Sequence, residues 1–440
     1  MKIFVFLFVF FTVSFSREFT LGELIDSAYR HSHLLAIADM QKEINRNEVD
    51  FAKRTMLPNI SFSGNFSHAL TPIDESLPQN TLWGGFDFRQ TLFAQNKLRH
   101  ALNFAQTSGR ALICRWQDVR MRVKAEMTRL YYAALLSAEH LKIEKQSLGI
   151  AENRHKQTLT LFSAQILSEI DTLNSFIDYS QALIRLAEAK RGEREVMRAI
   201  ATMAGLTISP DSIVLTDSIL PAPRRFNYPI LEAHFIAENK DLQVLRNEVS
   251  LAEIRVDIAK SDYFPVVFGG LALNRIASFD NRRNFDFLPE RIIYLGLSYD
   301  ITPFGQRRIR VRQSELNLRI AKRSFEHQKE QMLLLLKSNY ERLTEEYAKM
   351  EESRKIRDAA ERALTIAQNR YANGLISQND IEIAEHRFRQ SGLMYLSAVS
   401  RYNSLLIDLR IMGADYLYEP PERIEIQRFD DFIDFHLREE

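Results

Sequence analysis

The chain has 440 residues, enough for two or three ordinary domains or for one elongated domain. Its 58 Lys and Arg residues nearly balance its 57 Asp and Glu residues, so no net charge would recruit nucleic acid or an acidic partner. The single cysteine, Cys114, excludes an intrachain disulfide framework and a cysteine-based zinc cluster. Glycine and proline are scarce for this length, which favours long helices over loops.

The N-terminal segment 1–16 has the features of a secretory signal peptide. Lys2 supplies a short positive region, an apolar run follows, and small serines precede a cleavage site before Arg17. No later window approaches the apolar length of a membrane-spanning helix, which is about 18 residues or more. The sequence therefore predicts an exported protein that is soluble outside the cytoplasm or enters a membrane as strands.

The chain is predicted to contain one structural unit twice. The fragment "AKRTMLPNISFSGN" from Ala52 resembles "AKSDYFPVVFGGLA" from Ala259, and "LFSAQILSEID" from Leu161 resembles "RYANGLISQND" from Arg370. Each unit is expected to run helix, strand, strand, very long helix, turn and long helix. The predicted boundaries are 17–209 for the first repeat, 210–229 for a proline-rich connector, 230–414 for the second repeat and 415–440 for a C-terminal tail.

Four segments alternate between apolar and polar residues, which is typical of strands with one apolar face. In the first, Ile60, Phe62 and Phe66 fall on the side opposite the serines. The third is apolar throughout, so its facing stays open. Each segment has about the ten residues that a tilted transmembrane strand needs. The predicted strands are Asn59–Leu70, Leu82–Phe93, Val266–Ala277 and Ile292–Thr302.

Four strands cannot close a barrel alone. Unpaired amides in hydrocarbon cost several kcal/mol each, so a membrane tolerates no open sheet edge. Known barrels need about eight strands or more. If these strands lie in a membrane, several chains must share one barrel. The alternative is a periplasmic or secreted coiled-coil scaffold protein with a small soluble β-sheet covered by helices.

The helices after the strands are predicted to be unusually long. No proline occurs from Gln79 to Ser209 or from Phe304 to Glu419, and a helix from about Phe304 to Ala372 would be roughly 100 Å long. The last helix carries apolar and small residues at steps of three and four, which indicates packing along its length. This seam consists of Ile381, Ala384, Phe388, Ser391, Tyr395, Ala398, Tyr402, Leu405, Leu409 and Met412.

The order and spacing of these segments resemble the TolC-like outer-membrane efflux protein family over nearly all of the mature chain. "FTLGELIDSAYRHSHLLAIADMQKEINRNEVDFAKRTMLPNISF" resembles the family's first helix and first strand, and "LSYDITPFGQRRIRVRQSELNLRIAK" its strand-to-helix passage. "RYANGLISQNDIEIAEHRFRQ" resembles its helical-hairpin turn. The resemblance implies a mainly α homotrimer with a transmembrane β part. Three chains would form a twelve-stranded β-barrel, four strands per chain, continuous with a long α-helical coiled-coil barrel.

The resemblance also implies a function and partners. The trimer would be the exit duct of a tripartite efflux or type I secretion system, located in the outer membrane with its helical part in the periplasm. Its expected partners are a periplasmic adaptor (membrane fusion) protein, an inner-membrane pump and outer-membrane lipid, with no nucleic acid, cofactor or metal. No HExxH motif, phosphate-binding glycine loop or nucleophile elbow occurs in the sequence, so no enzymatic activity is expected.

The turn "NGLISQND" carries the sharpest prediction about individual residues. In the family this glycine-led turn lies at the periplasmic tip, where the adaptor docks. The resemblance assigns to this tip Gly374, Leu375, Ser377, Gln165 and Ser168. Gln165 departs from the pattern because it stands where glycine is expected. The alternative is local: each serine, with an aspartate three residues later, would form a capping box that opens the next helix.

The resemblance further implies a periplasmic gate formed by Asp380, Tyr371 and Arg370. Asp380 matches a carboxylate that rings the closed mouth in the family, and three such charges would attract cations. The family's second carboxylate falls at Ile383, so the charge of this gate would be weaker. Packing and helix-end charge explain Tyr371 and Arg370 equally well.

Overall fold

A computed structural model describes residues 17–70, 80–207, 209, 212–216, 227–279, 287–299, 301, 304–373 and 375–412. The predicted signal peptide and C-terminal tail lie outside these residues, as do parts of the predicted connector. The described chain is mainly helical. Within it, no helix combines the length and the apolar character needed to cross a membrane.

The described helices and strands follow the same order in the two halves of the chain. The first half contains β1 (Arg17–Phe19), α1 (Leu21–His31), α2 (His33–Arg54), β2 (Asn59–His68), β3 (Asn80–Phe93), α3 (Lys97–Ser163) and α4 (Glu169–Ala204). The second half contains β4 (Ile213–Leu215), α5 (Tyr228–Glu238), α6 (Lys240–Ser261), β5 (Val266–Phe279), β6 (Phe287–Ser298), α7 (Gln306–Ala372) and α8 (Gln378–Ile411). The two longest helices, α3 and α7, have 67 residues each.

The chain divides into two compact units. The described residues of Met1–Leu35, Asp118–Asn239 and Met332–Glu440 form the first, called the helical unit. Those of Ala36–Gln117 and Lys240–Gln331 form the second, called the sheet unit. In the helical unit β1 pairs in parallel with β4, so part of the predicted connector is a short strand.

The sheet unit contains one antiparallel sheet with the strand order β2-β3-β5-β6. The pairing of β3 with β5 joins the two hairpins and leaves β2 and β6 at the edges. The predicted bounds of the fourth strand are wrong, because β6 spans Phe287–Ser298 instead of Ile292–Thr302. Pro289 hides the start of this strand in the sequence, yet an edge strand tolerates proline because one side of it makes no ladder hydrogen bonds.

The two faces of the sheet differ in polarity. The apolar face carries Ile60, Phe62, Phe66, Phe86, Phe88, Leu271, Leu273, Ile293, Leu295 and Leu297, and it includes Arg275 and Arg291 toward the end where β5 leads to β6. The polar face carries Ser61, Ser63, Asp87, Arg89, Asn274, Glu290, Ile292 and Tyr294. The register thus settles the facing of β5, which the sequence left open. On the apolar face Ile293 is 87% exposed and Leu295 is 74% exposed, so the described chain leaves this face uncovered.

Polar contacts connect the strands on the polar face. The Tyr294 hydroxyl donates a hydrogen bond of 2.6 Å to Oδ1 of Asp87, reaching from β6 across β5 to β3. Gly270 of β5 makes this crossing possible, since a Cβ there would lie 2.4 Å from the tyrosine hydroxyl. The guanidinium of Arg89 lies 3.6 Å from the centre of the Phe268 ring. These contacts tie the first hairpin to the second.

In the helical unit, α8 buries most of its predicted seam. The buried seam residues are Ile381, Phe388, Ser391, Tyr395, Ala398, Tyr402, Leu405 and Leu409. Helix α4 buries a narrower line of small and apolar residues that includes Ser175, Ala182 and Ala189. Other apolar side chains of α4 remain exposed in the described chain, namely Ile170, Leu173, Phe176, Ile177, Leu183 and Ile184. Helix α4 therefore has one covered face and one uncovered apolar face.

Candidate functional site

The predicted site lies where α3 turns into α4 and where α7 turns into α8, and these two turns are called the hairpin tip. In the first turn Gln165 has a left-handed backbone with φ 60°. The N–H of Ile166 donates a hydrogen bond of 2.9 Å to the carbonyl oxygen of Leu161. In the second turn the N–H of Leu375 donates a hydrogen bond of 2.9 Å to the carbonyl oxygen of Arg370. This bond is typical of the Schellman motif, in which a left-handed residue ends a helix. Gln165 therefore takes the conformation that glycine usually takes.

Gly374 lies outside the described residues. The residues on each side of it are described. Leu375, directly after it, is 72% exposed, and Ile166, directly after Gln165, is 67% exposed. Each turn thus presents one large apolar side chain at the same position after the helix end.

The predicted capping boxes are confirmed in both turns. The Ser168 hydroxyl accepts a hydrogen bond from the N–H of Asp171. The Asp171 carboxylate in turn accepts a hydrogen bond of 2.9 Å from the N–H of Ser168. Ser377 and Asp380 repeat this arrangement, with the N–H of Ser377 donating at 3.1 Å. Hydrogen bonds from the Ser377 side chain and backbone lower the pKa of Asp380. The exposed carboxylate of Asp380 therefore stays charged at neutral pH.

The structure does not bring the predicted gate residues together into one cluster. The side chains of Asp380 and Arg370 are exposed, and Ile383 is 41% exposed. Tyr371 is half-buried, and its charged neighbours are Arg154, Glu382 and Glu385. Burial raises the pKa of the Tyr371 hydroxyl.

A buried group of charged side chains lies beside Tyr371 and is called the Arg154 cluster. Arg154 of α3, whose side chain is 5% exposed, donates through Nη2 to Oδ2 of Asp178 on α4 at 2.6 Å. Its Nη1 lies 3.4 Å from Oε1 of Glu382 and 3.1 Å from Oε2 of Glu385, both on α8. One guanidinium thus holds three helices together at the hairpin tip.

The surroundings of Glu385 weaken its acidity. Burial raises its pKa to about 7, although the charge of Arg154 opposes this shift. The negative charges of Glu382 and Asp178 act in the same direction as burial. A carboxyl group at this position is therefore a much weaker acid than an exposed glutamate.

A second buried carboxylate, that of Glu144, is surrounded by positively charged side chains and not by other carboxylates. Glu144 of α3 has a side chain that is 2% exposed, and it faces Arg185 of α4 at 3.5 Å and Arg389 of α8 at 3.7 Å. His140 lies 3.6 Å away on the same helix. Burial alone would raise the pKa of Glu144, but its interactions with His140, Arg389 and Arg185 lower it overall. This group borders a cavity of about 300 Å³ and remains ionised.

Sequence reasoning missed Arg154, Asp178 and Glu385. The available signal was the spacing of Glu382 and Glu385, because residues three apart share one face of a helix. Which arginine they meet depends on how α3 packs against α8, and helical periodicity does not specify that partner.

Solved structures share this fold over most of the chain. A membrane protein from Pseudomonas aeruginosa matches at 14% identity with a TM-score of 0.78, covering 89% of this chain and 90% of that one. The CmeC outer membrane channel of Campylobacter jejuni matches at 13% identity with a TM-score of 0.75, covering 89% and 85%. The outer membrane protein VceC of Vibrio cholerae matches at 17% identity with a TM-score of 0.74, covering 89% and 96%. The fold is therefore that of TolC-like channels.

The amino-acid sequence points to a more particular assignment. Residues 234–410 match the family described as outer membrane efflux protein. A comparison with curated proteins gave no match. The predicted resemblance to the TolC-like outer-membrane efflux protein family is confirmed by the family match and the shared fold together.

Proposed function

We propose that the protein is the outer-membrane exit duct of a tripartite efflux or type I secretion system. It passively conducts substrates from an inner-membrane pump and a periplasmic adaptor to the outside. The observation that carries this proposal is the uncovered apolar face of a single-layer sheet, whose edge strands β2 and β6 each pair on one side within the described chain.

Such a sheet is suited to lipid and poorly suited to water. In water an uncovered apolar face and two open edges favour aggregation. In lipid the face is stable, but the edges leave amide groups without partners. Pairing β6 of one copy with β2 of the next would satisfy both edges. A homotrimer would then enclose the polar face in a twelve-stranded barrel, with the apolar face toward lipid.

The helical unit supports the same assembly. The exposed apolar side chains of α4, which include Leu173, Phe176 and Ile184, form a surface that a second copy would cover. The long helices of three copies would then continue the barrel as a coiled-coil tunnel in the periplasm. The soluble-scaffold alternative lacks support, because the described helices leave the apolar face of the sheet uncovered.

The hairpin tip is the proposed docking surface for the adaptor. The exposed side chains of Ile166 and Leu375 offer two equivalent apolar contacts, one in each turn. The predicted tip residues Gly374, Leu375, Ser377, Gln165 and Ser168 and the predicted gate residues Asp380, Tyr371 and Arg370 belong to this surface in the proposal.

Membrane fractionation followed by native mass determination in detergent tests the proposed function. The protein is expected in the outer-membrane fraction, resistant to carbonate extraction, with the mass of three chains of 51.2 kDa each, less the signal peptides. A carbonate-soluble monomer or dimer would contradict the shared barrel. The strands would then have to belong to a soluble scaffold.

Asp380→Ala is expected to reduce the cation selectivity of the channel in planar-bilayer recordings. Three exposed carboxylates, one per chain, would disappear from the proposed mouth. Asp171→Ala is the matched control, because it removes the same capping interaction from the first turn. Unchanged currents, or equal changes in both variants, would leave Asp380 with the capping role alone.

A further inference from the structure

We propose that the Arg154 cluster is a proton-operated latch. A proton on Glu385 keeps α8 packed against α3 and α4 at the hairpin tip, and release of that proton favours separation of the α7–α8 hairpin from the α3–α4 hairpin. The latch is a property of one chain, and it rests on the proposed function only in that its opening would widen the periplasmic end of the duct.

The charge count of the cluster supports a bound proton. One guanidinium faces three carboxylates, those of Asp178, Glu382 and Glu385, within 3.4 Å of its terminal nitrogens. If all three carboxylates were ionised, the cluster would hold two excess negative charges in a poorly solvated place. The Glu144 group has the opposite balance, with one carboxylate between two arginines. The excess of acid thus distinguishes the Arg154 cluster from the Glu144 group.

The surroundings of the three carboxylates select Glu385 as the proton carrier. Asp178 and Glu382 are 37% and 31% exposed, and they accept hydrogen bonds from Arg154 and Gln378 respectively. The Glu385 side chain is 14% exposed, and its buried Oε1 has no hydrogen-bond partner in the described chain. The titratable or charged groups that face it are Arg154 from α3, Asp178 from α4, Tyr371 from α7 and Glu382 from its own helix.

The direction of the pH effect follows from the two states of Glu385. In the separated state the carboxyl is hydrated and titrates near its ordinary pKa of 4.5, whereas in the packed state its pKa is about 7. The packed state therefore binds the proton more tightly. The stabilisation of the packed state by this proton is complete below pH 4.5 and is lost as the pH rises through 7. Between these values the ratio of packed to separated tips falls by about tenfold per pH unit.

Spin-label distances across the tip test the latch directly. Labels are placed at the exposed positions Asn174 of α4 and His386 of α8, in a background in which Cys114 is replaced by alanine. Double electron–electron resonance is then recorded from about pH 5 to about pH 8 on the full-length protein in lipid vesicles. The ratio of the long-distance to the short-distance population is expected to rise about tenfold per pH unit up to about pH 7.

Glu385→Gln places a neutral amide of the same shape at this position, so its tip is expected to stay packed at every pH. Glu169→Gln, which removes one exposed carboxylate from α4, is the matched control and is expected to keep the wild-type pH dependence. If Glu385→Gln keeps that dependence, other groups such as His155 are responsible and the latch is wrong. A wild-type distance that does not change with pH would also overturn it.

The Arg154→Gln variant provides a second test, in which the pH dependence of the tip distance is expected to shift and not to disappear. Without the guanidinium the pKa of Glu385 in the packed state rises, so the upper limit of the pH-dependent range is expected to move to higher pH, while the lost contacts of Arg154 lower the packed fraction at every pH. Circular dichroism checks that the variant is folded. An unmoved upper limit in a folded variant contradicts the latch. Failure of the proposed function is recognised separately, because membrane fractionation and native mass determination would then show a soluble protein. The spin-label distance within one chain would still be measurable in that case.

Discussion

The Ile293→Arg variant is expected to fail to assemble in the outer membrane, whereas the neighbouring Ile292→Arg variant is expected to assemble normally. Ile293 lies on the apolar face near the middle of β6 and is 87% exposed. An arginine on the lipid-facing side of a barrel strand costs ~2–4 kcal/mol at the bilayer midplane. A trimer would carry this cost in each of its three chains. Ile292 lies on the polar face, where an arginine would face water.

The pair is a matched control because residue type, substitution and strand are the same. The amount of protein that forms trimers in isolated outer membranes is the measurement, with expression of both variants checked in whole cells. Equal assembly of the two variants would mean that the apolar face does not contact lipid. Failure of Ile292→Arg alone would mean that the sheet is oriented with its faces reversed.

The Gly85→Ala variant is expected to weaken the sheet strongly, whereas Gly84→Ala is expected to have little effect. A Cβ at Gly85 would lie 2.5 Å from the carbonyl oxygen of Leu273 and 2.8 Å from the Cα of Asn274. Backbone atoms of β5 cannot move away without separating from β3. At Gly84 the nearest atom would lie at 3.8 Å, which is ordinary contact. Overpacking of this kind costs ~1–3 kcal/mol, and a backbone clash costs at least that much.

Thermal dissociation of the proposed trimer in detergent, followed on gels and by circular dichroism, measures this effect. The Gly85→Ala trimer is expected to dissociate at a clearly lower temperature than the wild type, and the Gly84→Ala trimer within a few degrees of it. Similar melting of both variants would contradict the close approach of β3 and β5. The position matters because this pairing joins the two hairpins.

Features that depend on neighbouring residues could be predicted from the sequence. The alternation at Ile60 and Phe62, the serine and aspartate of each capping box, and the steps of three and four along α8 all follow from local periodicity. The start of β6 could not be predicted, because Pro289, Glu290 and Arg291 interrupt the alternation and only pairing with β5 stabilises them as a strand.

The facing of β5 and the Arg154 cluster required tertiary information. β5 is apolar on both sides at several positions, so only its register with β3 and β6 assigns Leu271 and Leu273 to one face. Arg154 and Glu385 belong to helices in different halves of the chain. Their helical pattern is compatible with many arginines and many acids, and only the packing of α3 against α8 selects this pair.

The pairing of β3 with β5 has a consequence for the time course of folding. The whole of α3 and α4 separates these strands in the sequence, so their contact requires closing a very long loop. Contacts of this kind form slowly, while helices form from near neighbours. Each two-stranded hairpin is marginal by itself. The chain is therefore expected to acquire its helices first and its four-stranded sheet last, once both hairpins are available.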